Sequence, residues 1–206
     1  MTKRVKYVRG IHDAYNGTHI VSIFCPHNKI DPAAHSILSI MTTYRLELVV
    51  TEHGSSFYPP LGTVESLSPD NAGYDLKVIT DLNATTMTTL VPLGVKARMI
   101  RLTRITPMDT SVLREEPCHF TLEPRSSIYK TGFIMANGRG IIDSSYRGEL
   151  KAPLVTISSV PTKLEKGSRL FQVLAPDLGY IKEVHYVASL DQTLRGEGGF
   201  GSTGAN

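Results

Sequence analysis

Asp143 and Tyr146 lie three residues apart in Gly140-Ile141-Ile142-Asp143-Ser144-Ser145-Tyr146-Arg147-Gly148-Glu149, a stretch whose residue types suit acid–base chemistry beside a flat wall. Ile141 and Ile142 read as the end of a buried strand, which delivers Asp143 to the strand's rim before Ser144-Ser145 turn the chain. A carboxylate held on a rigid strand end is placed to act as a general base, and the tyrosine offers an aromatic face to a bound substrate. A plainer description fits the same residues, because an Asp before Ser-Ser commonly bonds its own backbone in a turn. What decides between the two is what other elements bring to this pair.

Those elements come from a chain of 206 residues with 41% hydrophobic and 20% charged side chains, 17 Gly and 12 Pro, which is the composition of a turn-rich globular protein with a real core. A net charge of +3, 7% aromatic residues and no Trp argue against a dedicated nucleic-acid surface, which shows a basic stripe or stacking aromatics. Lys3, Arg4, Lys6 and Arg9 make a basic start that reads as a solvated tail. Cys25 and Cys118 form no Cys-x-x-Cys pair, so neither a zinc site nor a disulfide scaffold is expected, and a reducing intracellular compartment, cytoplasm or nucleus, fits best. No apolar run approaches the roughly 20 residues of a membrane helix, and the first residues lack the apolar core of a secretory signal.

Residues 1–42 read as an N-terminal extension without recognisable chemistry, with a short strand at Thr18 to Phe24 and a helix capped by Asp31-Pro32 that runs through Ala33, Ala34 and Ile37. From Tyr44 to Val50 apolar and polar residues alternate, the signature of a strand. Strand-like segments then recur at Lys77-Val78-Ile79, Thr88 to Val91, Val95 to Leu102, His119 to Leu122, Gly132 to Met135, Gly140 to Asp143, Leu150 to Ile157, Leu170 to Leu174 and Ile181 to Val187. Gly, Pro, Asp and Asn separate many of them and no long stretch holds a helical period, so residues 43–190 are expected to form an all-β sandwich or barrel. Residues 191–206 end the chain differently: Arg195 to Gly204 has five glycines in ten positions, which makes a flexible arm whose backbone N–H groups approach an anion closely.

Four further stretches are each ambiguous alone: Ala72-Gly73-Tyr74-Asp75-Leu76, Pro124-Arg125-Ser126-Ser127-Ile128, Gly167-Ser168-Arg169-Leu170-Phe171-Gln172, and the glycine-rich arm. With the opening stretch as third of five, in this order, they resemble the five motifs of the trimeric deoxyuridine triphosphatases (dUTPases), over about four fifths of the chain. The resemblance implies a distorted jelly-roll β-barrel that hydrolyses dUTP to dUMP and pyrophosphate, keeping uracil out of DNA and supplying dUMP for dTMP synthesis. It implies that Asp143 activates the attacking water, Tyr146 stacks under the deoxyribose, and Asn137 with Gly140 and nearby backbone reads the uracil edge. Arg125, Ser126, Ser127 and Gln172 would serve the phosphates. In the arm, Phe200 would stack over uracil, Arg195 would pair with the terminal phosphate, and Gly201, Ser202 and Thr203 would add hydrogen bonds. Mg2+ would be held mainly by the triphosphate, with Asp75 acting through water. The resemblance also implies a homotrimer with shared sites, the tail of a third chain closing over the groups of the other two.

Two residues depart from the pattern: Ser145 stands where a second acidic residue is frequent, and Phe171 where a small one is, which places an altered packing near the site or trimer axis. A dCTP deaminase shares the Arg-Ser-Ser stretch, but Tyr146 and the complete arm weigh against it. A dUTPase-like protein that binds a regulator through its surface or extension is the alternative of a different class.

Overall fold

The computed structural model describes residues 8–13, 18–23, 37–83, 87–106, 112–160 and 162–199. Their regular structure is almost entirely β-strand, with two short 3₁₀ turns at Glu52–Gly54 and Ser126–Lys130. They divide into two compact units, one from Met1–Thr43 with Arg101–Glu116, the other from Tyr44–Ile100 with Pro117–Asn206.

In the first unit β1 (Val8–Asp13) pairs antiparallel with β2 (Thr18–Ile23), and β2 pairs antiparallel with the leading end of β3 (Ile37–Val50), Ser22 opposite Ile37 and Thr18 opposite Met41. The expected helix is therefore corrected at Ile37, which begins a strand; residues 31–36 lie outside the described residues. Pairing with β2 holds Ile37 to Met41 in extended chain. The trailing part of β7 (Thr89–Thr106) pairs with β8 (Val112–Cys118).

The second unit is a distorted jelly-roll barrel built from two main sheets. In one, β15 (Ile181–Tyr186) runs parallel to β3 and antiparallel to β4 (Val64–Ser66), and β12 (Glu149–Thr156) runs antiparallel between β7 and β10 (Phe133–Met135). The other has the order β11 (Gly140–Ile142), β9 (Phe120–Pro124), β14 (Arg169–Leu174), β5 (Gly73–Lys77), all antiparallel. β6 (Leu82–Asn83) and β13 (Lys163–Leu164) make a small third pair. Leu46, Leu48, Leu93, Leu154 and Phe133 from the first sheet join Leu76, Phe120, Leu122, Phe171 and Val173 from the second in one core cluster. Alternation along β9 turns Phe120 and Leu122 inward and leaves Thr121 and Glu123 half-buried on the other face. Phe171 is wholly buried in this core, so the bulky residue of the fourth motif fills the chain's own interior.

Candidate active site

Four of the five motif stretches meet on the β11-β9-β14-β5 sheet, and strand order decides which side chains come together. The third motif occupies one edge. Gly140 opposes Leu122 and Ile142 opposes Phe120, so the strand ends one residue before Asp143, whose side chain is 55% exposed. The turn that follows is closed by Tyr146 N–H donating to the Asp143 carbonyl at 3.0 Å. The Asp143 backbone carbonyl closes the turn, and Asp143 lines a cavity of about 190 Å³. Tyr146, Asn137, Gly140, Glu149, Lys151, Arg195 and Gly199 share that cavity.

Tyr146 is 8% exposed, and its hydroxyl donates to the Glu149 carbonyl at 3.0 Å. Burial pushes its pKa up, and the Glu197 and Glu149 carboxylates add to the effect. The ring stays a neutral wall because a phenolate there would be desolvated and repelled. Gly148 permits this folded-back ring, since a Cβ there would lie 2.6 Å from Tyr146 Cζ. Asn137 sits in the turn over which the chain passes from β10 in one sheet to β11 in the other, with Gly138 at φ +65° and its N–H donating to the Met135 carbonyl at 2.9 Å.

The first, second and fourth motifs meet at the opposite edge. Asp75 of β5 opposes Gln172 of β14, and Gln172 opposes Glu123 of β9, so Arg125 emerges one residue past the end of β9. Arg125 Nε lies 2.9 Å from Asp75 Oδ1, and Arg169 Nη1 lies 3.6 Å from Asp75 Oδ2. Arg125, Arg169, Asp75 and Gln172 line a groove of about 440 Å³. Ser126 is exposed at the start of the 3₁₀ turn, whereas Ser127 Oγ is buried with no hydrogen-bond partner among the described residues. Arg169 was not singled out from sequence as a site residue, although it stands three residues before Gln172.

The register separates the two halves. From Phe120, beside the end of β11, to Arg125 is five residues of extended chain, roughly 16 Å at about 3.3 Å per residue. Across the sheet, β5 is three strand spacings from β11, roughly 14 Å at about 4.8 Å each. Asp143 and the Arg125–Asp75 pair of one chain therefore do not converge on one phosphate.

The described start of the arm lies on its own chain. Arg195 forms an ion pair with Asp143 and stands 5.6 Å from the Tyr146 ring centroid. This partner differs from the terminal phosphate that the motif pattern implies. Phe200, Gly201, Ser202 and Thr203 lie outside the described residues. Arg147, which sequence reading passed over, is 7% exposed and braces the Asp143 turn by donating from Nη1 to the Ser144 carbonyl at 2.8 Å. No group of three or more His, Cys, Asp or Glu side chains forms a metal cage among the described residues. Asp75, a partly exposed carboxylate at the rim of a groove, suits a hydrated divalent cation that brings most of its oxygen ligands with it.

The barrel carries a carboxylate beside an aromatic wall in a cavity at one sheet edge and two guanidinium groups with two aspartates in a groove at the other, groups that suit the binding of a nucleotide. A sequence model of the dUTPase family matches residues 63–204. The deoxyuridine 5'-triphosphate nucleotidohydrolase of Rickettsia rickettsii (strain Sheila Smith) is 31% identical over 165 residues, 80% of this chain and 99% of that protein. That of Escherichia phage T5 is 36% identical over 140 residues, 67% of this chain and 88% of that protein. That of Wolinella succinogenes is 41% identical over 91 residues, 44% of this chain and 60% of that protein. The chain belongs to the dUTPase family, and hydrolysis of dUTP is its activity. The family is generally metal-dependent.

Proposed function

We propose that dUTP is cleaved by water attack at the α-phosphorus, with Asp143 as the base, in a homotrimer whose sites draw on more than one chain. Asp143 orients the water and takes its proton as the new P–O bond forms; the bond from the α-phosphorus to the bridging oxygen breaks, and pyrophosphate leaves with that oxygen. A positioned base of this kind contributes roughly 10² to 10⁴ in rate. The Tyr146 ring supports the deoxyribose and leaves no room for a 2′-hydroxyl. Asn137 and the backbone leading to Gly140 bond the uracil edge, which rejects cytosine through mismatched donors. Arg125, Ser126, Ser127 and Gln172 of a neighbouring chain bind the phosphates. Mg2+ would be brought by the triphosphate and would neutralise its charge, with Asp75 placed to hold the ion's bound water. The arm closes the site, with Phe200 over uracil, Arg195 moving from Asp143 to the terminal phosphate, and Gly201, Ser202 and Thr203 adding hydrogen bonds.

The observation that carries this reading is the cavity that joins Asp143, Tyr146, Asn137 and Gly140 with the arm's Arg195 and Gly199 at its rim. The distance between the two sheet edges supports sites completed by a second chain. Pyrophosphate release from dUTP, UTP, dCTP and dTTP with Mg2+ tests it: dUTP is expected to be turned over far faster than the others. Equal turnover of all four, or ammonia release from dCTP, overturns it.

A further inference from the structure

We infer that Glu123 is a positioning residue for Gln172, and that Arg139 is the counter-charge that lets a carboxylate stand beside the phosphate groove. This rests on the reading that Gln172 serves the phosphates. Phe171 and Val173 are buried in the core, so alternation along β14 places Gln172, half-buried, on the outer face of the sheet. Asp75 and Glu123 stand directly opposite it, one on each neighbouring strand. Arg139 precedes Gly140, whose partner on β9 is Leu122, and so comes level with Glu123. A row of polar residues, Asp75, Gln172, Glu123 and Arg139, thus crosses the outer face from the phosphate groove to the turn that carries Asn137.

An ion pair closes each end of that row. Arg125 Nε lies 2.9 Å from Asp75 Oδ1, and Arg139 Nε lies 2.8 Å from Glu123 Oε1. Thr121 Oγ1 donates to the same Oε1 at 3.1 Å, which fixes the carboxylate from its own strand. Among the described residues neither Glu123 Oε2 nor the Gln172 side-chain amide has a hydrogen-bond partner. Opposed residues on neighbouring strands have Cβ atoms about 5 Å apart, so the two unpartnered groups are within reach of each other. An amide left alone presents its carbonyl oxygen to a phosphate as readily as its N–H groups. A carboxylate, which only accepts, holds one amide N–H and leaves the second for a phosphate oxygen. Its charge would also repel a triphosphate in the groove, and Arg139 offsets that charge at short range. The Glu123 side chain is 20% exposed and that of Arg139 61%, so the counter-charge sits on the solvent side of the carboxylate it balances.

Steady-state kinetics of full-length variants test both roles. Glu123→Ala removes the acceptor and is expected to lower kcat/KM for dUTP roughly two- to tenfold, whereas Glu123→Gln, whose carbonyl still accepts, loses less. Arg139→Ala leaves the carboxylate unbalanced and is expected to raise KM for dUTP roughly two- to fivefold at low salt, less at high salt, with little change in Tm. Adding Glu123→Gln to Arg139→Ala brings KM back down. Loss of a merely structural contact would show no such recovery, because removing both partners is then no better than removing one. Equal losses in Glu123→Ala and Glu123→Gln overturn the positioning role; an unchanged KM in Arg139→Ala, or no recovery in the double variant, overturns the counter-charge. Gln172→Ala separates these failures from that of the underlying reading: if it keeps the parent's kcat/KM, Gln172 does not serve the phosphates and the inference falls with that reading.

Discussion

The two edges of the β11-β9-β14-β5 sheet solve opposite problems. At the Asp143 edge the aromatic ring is buried, glycines lie against it, and Asp143 shares a cavity of about 190 Å³ with Glu149. At the Asp75 edge two guanidinium groups flank a carboxylate in a groove of about 440 Å³. The first suits recognition by shape, because a flat wall and close backbone leave little room for extra atoms; the second suits recognition by charge, which tolerates a range of positions. A nucleoside triphosphate needs both at adjacent atoms, and a single chain holds them roughly 16 Å apart along β9. That distance is why the proposed mechanism requires a neighbouring chain.

Asp143→Asn breaks the comparison most severely. It is expected to lower kcat by roughly 10² to 10⁴ while a non-hydrolysable dUTP analogue still binds, read by steady-state kinetics beside calorimetry. Undiminished turnover would mean that the base lies elsewhere. Arg125→Gln acts at the other edge by removing a charge-assisted donor, and KM for dUTP is expected to rise roughly ten- to a hundredfold. Binding of dUMP, which lacks the two outer phosphates, should change little. Equal losses for dUTP and dUMP would show that the edges do not divide the nucleotide as described.

Each edge was legible in the sequence to a different depth. Alternation at Tyr44 to Val50 and the short apolar run at Leu170 to Leu174 announced strands, and Ile141-Ile142 announced the one that delivers Asp143. Pro92 and Gly94 suggested a break, yet β7 runs through both: Gly94, at φ +72°, keeps its N–H bonded to Glu149 Oε1 at 3.1 Å near a shift in the β7–β12 register. β8 escaped notice because Arg114, Glu115, Glu116 and Pro117 leave it almost no apolar alternation. The gap between Asp143 and Arg125 is set by the pairing of distant segments, which no local pattern encodes. Arg147 was overlooked for a similar reason. An arginine in a turn is ordinarily solvated, and what buries this one is Asp191, 44 residues away.

Two glycines, one at each edge, give the finest test. At Gly73 an added Cβ would lie 2.5 Å from the Val173 carbonyl oxygen, on the backbone of the strand that β5 pairs with. A strand backbone cannot yield without breaking its ladder, so Gly73→Ala is expected to cost about 1–3 kcal/mol and to lower Tm by several degrees, at roughly 2–4 °C per kcal/mol for a chain of this size. At Gly148 the obstacle is the far end of the Tyr146 side chain, 2.6 Å away at Cζ, and a ring beside a cavity has somewhere to go. Gly148→Ala should therefore shift Tm less than Gly73→Ala but displace the sugar wall, so that discrimination of dUTP against UTP narrows while Tm stays close to that of the parent. Were Gly148→Ala to unfold the protein and keep its discrimination, Tyr146 would be a packing residue of the barrel and not the wall of its site.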